Sequence, residues 1–203
     1  MPQKTSSKPR IRPSWHEYFM LIAKIVSSRS TCNSRPTGAV IVKDNHILTT
    51  GYNGAMPGAQ HCIDQPPHDG EPFCFRRAHG IPDVDKYNFC RASHAEANAI
   101  AQAARYGTAL EGSILYATLA PCYVCLKLIA TARIRAVYYE HPYESVTPER
   151  DRFWKEAVRE SGLKVFEHLL IAPQTYEYML ADIQNITSRR RTAATDFLSG
   201  EES

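Results

Sequence analysis

The 203-residue sequence predicts an α/β protein, with a mixed five-stranded sheet covered by helices. Short apolar runs rich in Val, Ile and Tyr recur along the chain, each four to six residues long and bounded by turn residues. Longer segments with helical spacing of apolar residues lie between them. The resulting order is helix, two strands, helix, strand, helix, strand, helix, strand, which fits one sheet with helices packed on it.

The elements follow from local signals. Ser14 and Glu17 make a capping-box pattern ahead of Tyr18, Phe19, Leu21, Ile22, Ile25 and Val26, so a helix starts there and covers one face of the sheet. Gly38–Val42 and His46–Thr50 flank Asp44-Asn45 and predict a hairpin. Ala95–Arg105 is alanine-rich, lacks internal Pro and Gly, and meets a stop at Gly107. Ser113–Thr118 is the next strand and runs toward Pro121, a good residue for a first helical turn. Leu126, Leu128, Ile129 and Ala132 then continue in helical spacing over Cys125–Arg133. Arg135–Tyr139 and Leu163–Phe166 supply two more strands. Between them, Thr147 caps and Pro148 opens a helix through about Ser161 that Gly162 closes. One further helix is expected over Tyr176–Ile186.

Composition bounds the answer. A chain of this length with 43% hydrophobic residues can build one domain with a core and some appendages. The expected division is a flexible basic N-terminus over residues 1–12, a zinc-binding domain over 13–170 and a partly disordered C-terminal extension over 171–203. The first dozen residues lack the apolar segment of a signal peptide, and no stretch approaches the roughly 20 apolar residues of a membrane helix. A cytoplasmic protein with no membrane partner is expected. Six cysteines in such a chain read as metal ligands or reduced thiols before disulfides. The net charge of +3 is far from the concentrated basic face of a duplex or tRNA binder, and Arg189-Arg190-Arg191 reads as a solvated tail.

The chemistry concentrates in His94-Ala95-Glu96 and Pro121-Cys122-Tyr123-Val124-Cys125. One imidazole and two thiolates give three protein ligands for a tetrahedral zinc, which leaves a fourth position for water and so describes a catalytic site. Both halves open helices, where the dipole and free N–H groups favour negative sulfur. Two thiolates already cancel the metal's charge, so Glu96 reads as the acid/base group that moves protons and not as a ligand. The pairing matches the zinc nucleobase deaminase signature, in which the glutamate stays off the metal.

A wider set of blocks then resembles the deoxycytidylate deaminase family across roughly residues 11–168. They are Arg12-Pro-Ser-Trp-His-Glu-Tyr-Phe-Met20, Arg29-Ser-Thr-Cys32, Gly38-Ala-Val-Ile-Val-Lys-Asp44, Gly51-Tyr-Asn-Gly54, His61-Cys62, His94-Ala-Glu-Ala-Asn-Ala-Ile100 and Pro121-Cys-Tyr-Val-Cys125. The resemblance implies a cytidine-deaminase-like three-layer sandwich and hydrolysis of dCMP to dUMP and ammonia for thymidylate synthesis. It further implies that Asn53 reaches the sugar and that the backbone N–H of Ala95 meets the pyrimidine carbonyl. Effectors implied are dCTP as activator, with Mg2+ accompanying it, and dTTP as inhibitor, acting on a homo-oligomer for which a hexamer is favoured. Arg35 is the candidate for the 5′-phosphate because its fork matches phosphate geometry, against an exposed loop arginine. Family relatives also carry a structural zinc near the segment that holds Cys32, Cys62, Cys74 and Cys90, and four thiolates would close a tetrahedral shell. His61, His68 or His79 could stand in for one of the four, and reduced, partly buried cysteine is the alternative to a metal.

Two rival functions share parts of this pattern. A tRNA or polynucleotide deaminase uses the same zinc chemistry but needs an extended basic surface or aromatic platform. A non-catalytic zinc module would have no use for Glu96.

Overall fold

The computed structural model describes residues 12–142 and 147–184. The chain divides into two units, Trp15–Leu169 and the two terminal segments together. In the terminal unit residues 173–184 are helical. That helix starts three residues before the expected Tyr176, and the expected end at Ile186 lies outside the described residues, as do Arg189-Arg190-Arg191 and both tails.

The unit Trp15–Leu169 is built on a five-stranded sheet. Helix α1 (Trp15–Ser27) begins directly after Ser14. Strands β1 (Gly38–Lys43) and β2 (His46–Tyr52) pair antiparallel, with a bulge between Ile41 and Val42. Asp44 and Asn45 adopt φ of 50° and 61°, the left-handed pair that a tight two-residue hairpin turn requires. After α4 (Ala95–Arg105) come β5 (Ile114–Leu119), α5 (Tyr123–Thr131), β6 (Ala136–His141), α6 (Pro148–Glu160) and β7 (Val165–His168). The strand order is β2-β1-β5-β6-β7. β1 meets β5 antiparallel, whereas β5–β6 and β6–β7 are parallel pairs that helices α5 and α6 connect. This is the mixed α/β sheet that the element order predicts.

Alternation along the strands separates two cores. Ala39, Ile41, Leu115, Ala117 and Val137 face Ala95, Ala99 and Ala103 of α4 and Ile129 of α5. On the other face Tyr116 packs against Phe19 of α1, ring centroids 5.4 Å apart. Two glycines let the helices approach closely. A Cβ at Gly38 would stand 2.1 Å from Ala23 O in α1, and one at Gly51 would stand 2.2 Å from Ala95 O in α4. Helix, sheet and helix therefore form three layers.

Helix boundaries follow the predicted signals closely. α4 spans Ala95–Arg105 as expected, with Gly107 beyond it at φ 66°. Thr147 Oγ1 accepts from Arg150 N at 3.3 Å and caps α6, Pro148 is its first residue, and Gly162 at φ 75° follows its end. α5 starts at Tyr123, so Cys122 stands at the N-cap one step outside the helix. Residues 53–93 hold what periodicity could not reveal. They contain a two-residue ribbon, β3 (Gly54–Ala55) with β4 (Ala92–Ser93), helices α2 (Phe75–Ala78) and α3 (Lys86–Phe89) of four residues each, and a 3-10 turn over Asp83–Asp85. Elements shorter than two helical turns carry no repeating pattern to detect.

Candidate metal centre and catalytic site

Two helix N-termini meet beyond the end of β5. The strand runs into Ala120-Pro121-Cys122, where Ala120 N donates to His141 O at 2.8 Å and ties the link to the end of β6. Cys122 at the α5 N-cap and Cys125 one turn on are both buried. His94 is the N-cap of α4. Its Nδ1 lies 3.4 Å from Cys122 Sγ and 3.4 Å from Cys125 Sγ. The three donor atoms all lie within 4.8 Å of one another. Tetrahedral zinc with ordinary Zn–N and Zn–S bonds would hold such a pair of donors about 3.6 Å apart, so the residues fit the ion.

The electrostatics agree with that role. Hydrogen bonds from the Cys125 thiol and from His94 hold the Cys122 thiol well below its usual range, although burial opposes them. Cys125 moves upward, because it donates to Cys122 and is itself buried. His94 is raised through its hydrogen bond to Cys122. Metal binding at these three residues would displace the protons that they hold.

Glu96, the second residue of α4, is buried. Desolvation raises its carboxyl to about 7, opposed by a hydrogen bond to its own backbone and by the His94 charge. Its side chain also meets Cys125, which sets the carboxyl beside the triad. Ala95 is fully buried as the first residue of α4, so its N–H belongs to the donors that no helical turn satisfies.

Asn53 serves first as a clamp. Its Oδ1 accepts from Ser30 Oγ at 2.6 Å and from Thr37 N at 2.8 Å, and its Nδ2 donates to Arg35 O at 2.9 Å. The amide thus fixes the loop before β1, and one Nδ2 hydrogen remains beyond these three bonds. Arg35, on that loop, lines a cavity of about 390 Å³ together with Thr37, Thr118, His141 and the Lys24–Glu140 pair. In that pair Lys24 Nζ reaches both Glu140 oxygens, at 2.5 and 2.6 Å.

Lys86 of α3 stands near these residues, and no sequence signal points to it. Burial lowers its pKa, and it stands close enough to Cys122, His94 and Arg35 to exchange charge interactions with all three. No motif marks it. Only its place in the fold, within charge range of Arg35 and the triad, gives it away.

The remaining four cysteines gather in one region without closing. Burial pushes the Cys62 thiol up, and Cys32, Cys74 and Cys90 all add to the rise. Among the described residues, however, only the His94, Cys122 and Cys125 donors come within chelating distance. Asn33 Nδ2 bridges the loops by donating to Cys62 O at 2.9 Å and Phe73 O at 3.1 Å. Of the three nearby histidines, His79 Nδ1 donates to Phe75 O at 2.8 Å and His68 Nδ1 lies 3.3 Å from Asp69. The buried Nδ1 of His61 has no hydrogen-bond partner. A second cavity, about 760 Å³, lies over β2 and α4 and is lined by Arg29, His61, Asn98, Gln102 and Arg105 among others.

Comparison with known proteins identifies the family. The model of the cytidine and deoxycytidylate deaminase zinc-binding region matches residues 13–141. The deoxycytidylate deaminase of Mycobacterium phage D29 is 43% identical over 139 residues, covering 66% of this chain and 98% of that protein. ComE operon protein 2 of Bacillus subtilis (strain 168) is 32% identical over 159 residues, covering 78% and 76%. Among solved structures, the dCMP deaminase of cyanophage S-TIM5 in complex with dCMP and dUMP is similar with a TM-score of 0.58 at 28% identity, covering 79% of this chain and 100% of that one. The matched region contains α1, strands β1 to β6 and both ligand-bearing helices, and the chain belongs to the cytidine and deoxycytidylate deaminase family.

Proposed function

We propose that the protein hydrolyses dCMP to dUMP and ammonia. The observation that carries this reading is the His94, Cys122 and Cys125 triad with the Glu96 carboxyl buried beside it. Zinc, when bound there, lowers the pKa of water to about 7 and so supplies the nucleophile at neutral pH. Glu96 does the proton work. As carboxylate it takes one proton of the attacking water and gives it to the ring nitrogen next to the amino-bearing carbon as the C–O bond forms, then takes the other from the added hydroxyl and carries it to the amine, which leaves as ammonia when the C–N bond breaks.

The chain's other residues orient the nucleotide in this reading. The Ala95 N–H donates to the pyrimidine carbonyl, and the remaining Nδ2 hydrogen of Asn53 reaches the sugar. Arg35 takes the 5′-phosphate. Residues 13–170 form the catalytic domain, and the dUMP product feeds thymidylate synthesis in the cytoplasm. No helix among the described residues is long and apolar enough to cross a membrane.

Regulation by dCTP with Mg2+, and by dTTP, belongs to the same proposal. It is supported by the second cavity, whose Arg29 and Arg105 suit a polyphosphate and which contains none of the triad. A homo-oligomer, with a hexamer favoured, is proposed on family grounds. A second, structural zinc at Cys32, Cys62, Cys74 and Cys90 is supported by the charge interactions of Cys62 with the other three, and His61, whose buried Nδ1 has no hydrogen-bond partner, is the histidine that could replace one thiol. Four sulfurs drawn onto a metal would tie together loops that have little core of their own.

The test is ammonia release by zinc-loaded protein from dCMP, dCTP, CMP and deoxycytidine, each with and without dCTP or dTTP as effector. Selective turnover of dCMP is expected, and no release from any of the four would sink the reading. Two zinc ions per chain are expected on metal analysis, whereas one in a fully active preparation would rule out the structural site.

A further inference from the structure

We propose that Trp154 is a positioning residue for the metal centre, holding the Cys122 ligand in place through the Pro121 carbonyl. The buried indole of Trp154 on α6 donates its Nε1–H to Pro121 O at 2.8 Å. That oxygen belongs to the peptide that leads directly into Cys122. The link from β5 to α5 is only Ala120-Pro121-Cys122, and it is held at two points, Ala120 N on His141 O and Pro121 O on Trp154. The first is a backbone bond from the sheet. The second is a side-chain bond from a helix residue that stands 33 positions later in the chain.

Indole chemistry fits the role. The Nε1–H can donate but not accept, so Trp154 can hold a carbonyl but neither ligate zinc nor move a proton in the reaction. The ring is itself fixed, standing edge-on to Phe166 of β7 at 5.5 Å, and Phe166 in turn packs at 5.1 Å from Tyr139 of β6. One turn earlier on α6, Arg150 Nη2 donates to Val84 O at 3.1 Å, on the segment that carries Lys86 toward the triad. α6 therefore holds two segments, the ligand-bearing link and the one that carries Lys86. Groups that orient a metal's ligands typically matter by about 10- to 100-fold in metal affinity or activity when removed.

The proposal rests on zinc occupying the triad, and the experiment separates the two ideas. Zinc-loaded wild type, Trp154→Phe and Phe166→Leu are compared for the rate of zinc transfer to a colorimetric chelator and for melting temperature. Trp154→Phe keeps an aromatic ring and loses the N–H, so its zinc should leave at least about tenfold faster. Phe166→Leu keeps the N–H and loosens the packing, so it should melt lower with zinc release close to wild type. Unchanged release from Trp154→Phe, or equally fast release from Phe166→Leu, would overturn the proposal. Should Trp154→Phe fail to fold, the wild type answers by NMR, since the chain has two tryptophans and two indole N–H signals. Zinc removal should shift the Trp154 signal and speed its exchange while leaving Trp15 alone, and an unmoved Trp154 signal overturns the proposal. A wild type that takes up no zinc at the triad would instead bring down the metal reading on which the proposal stands.

Discussion

Gly51→Ala should loosen the catalytic site by pushing on it from behind. The added Cβ would lie 2.2 Å from Ala95 O, 2.5 Å from Ala99 N and 3.1 Å from Ala99 Cα, all backbone atoms of α4 that cannot rotate away. Ordinary contact needs about 3.5 Å, so β2 and α4 must part by on the order of 1 Å. The end of α4 nearest the clash carries His94 and Glu96. Overpacking of this kind costs about 1–3 kcal/mol, which for a chain of this length lowers the melting temperature by roughly 2–12 °C. A displacement near 1 Å at the reacting groups is enough to lose about 100-fold in turnover. Gly38→Ala is the control, since its Cβ meets Ala23 O at 2.1 Å and Ser27 N at 2.6 Å in α1, on the opposite face of the sheet. Thermal melts and ammonia release, both read well below the melting point, should show similar stability losses but a far larger activity loss in Gly51→Ala. Wild-type melting and turnover in Gly51→Ala, or equal activity losses in the two variants, would refute the argument.

Glu96→Ala should retain zinc on metal analysis and lose roughly 10²- to 10⁴-fold in turnover, and a normal rate would remove Glu96 from the proton path. Ser113→Ala should raise the melting temperature by about 2–4 °C. The Ser113 hydroxyl is fully buried with no hydrogen-bond partner, and an unsatisfied group of that kind costs about 1 kcal/mol or more. A lower melting temperature would mean that the hydroxyl is paired. Zinc affinity of the metal-free protein should rise with pH through neutrality. The Cys125 proton must leave on binding and its pKa is raised, so each pH unit below that value costs about tenfold in affinity per proton released. A dissociation constant that stays flat between pH 7 and 8.5 would show that both thiols are already ionised without metal.

The parts of the fold legible in the sequence are those with a repeating pattern or a turn residue that admits one geometry. The Asp44-Asn45 hairpin, the Gly107 stop, the Thr147-Pro148 start and the Gly162 end are all of this kind, and each stands where the local chemistry puts it. The triad was legible because its spacing encodes two helix N-termini, and an α/β sheet can bring such termini together beyond the ends of its strands. The segment from Asn53 to Ser93 was not legible, because its helices are four residues long and its strands two. Asn53 stands out in the sequence only through the family resemblance, as a sugar contact, and its clamp on Ser30, Thr37 and Arg35 O appears only once the loop has folded over it.

What holds the site belongs to a different level of organisation from what composes it. His94, Glu96, Cys122 and Cys125 can be named from short motifs because each needs a particular functional group at a particular step from a helix end. Gly51 and Trp154 act instead through what they touch across the fold. Gly51 matters because the Ala95 carbonyl passes over it, and Trp154 because Pro121 O comes within 2.8 Å of its indole. Neither relation has a period, a spacing or a characteristic neighbour in the chain, since a contact between distant residues leaves no trace in the local sequence of either. The reacting groups can therefore be correct in kind while their placement is set from β2 behind one motif and α6 behind the other. If so, substitutions at Gly51 and Trp154 should reach the same site by separable routes, the first moving Glu96 with His94 and the second releasing Cys122. Gly51→Ala should then lower turnover more than it speeds zinc loss, and Trp154→Phe should do the reverse.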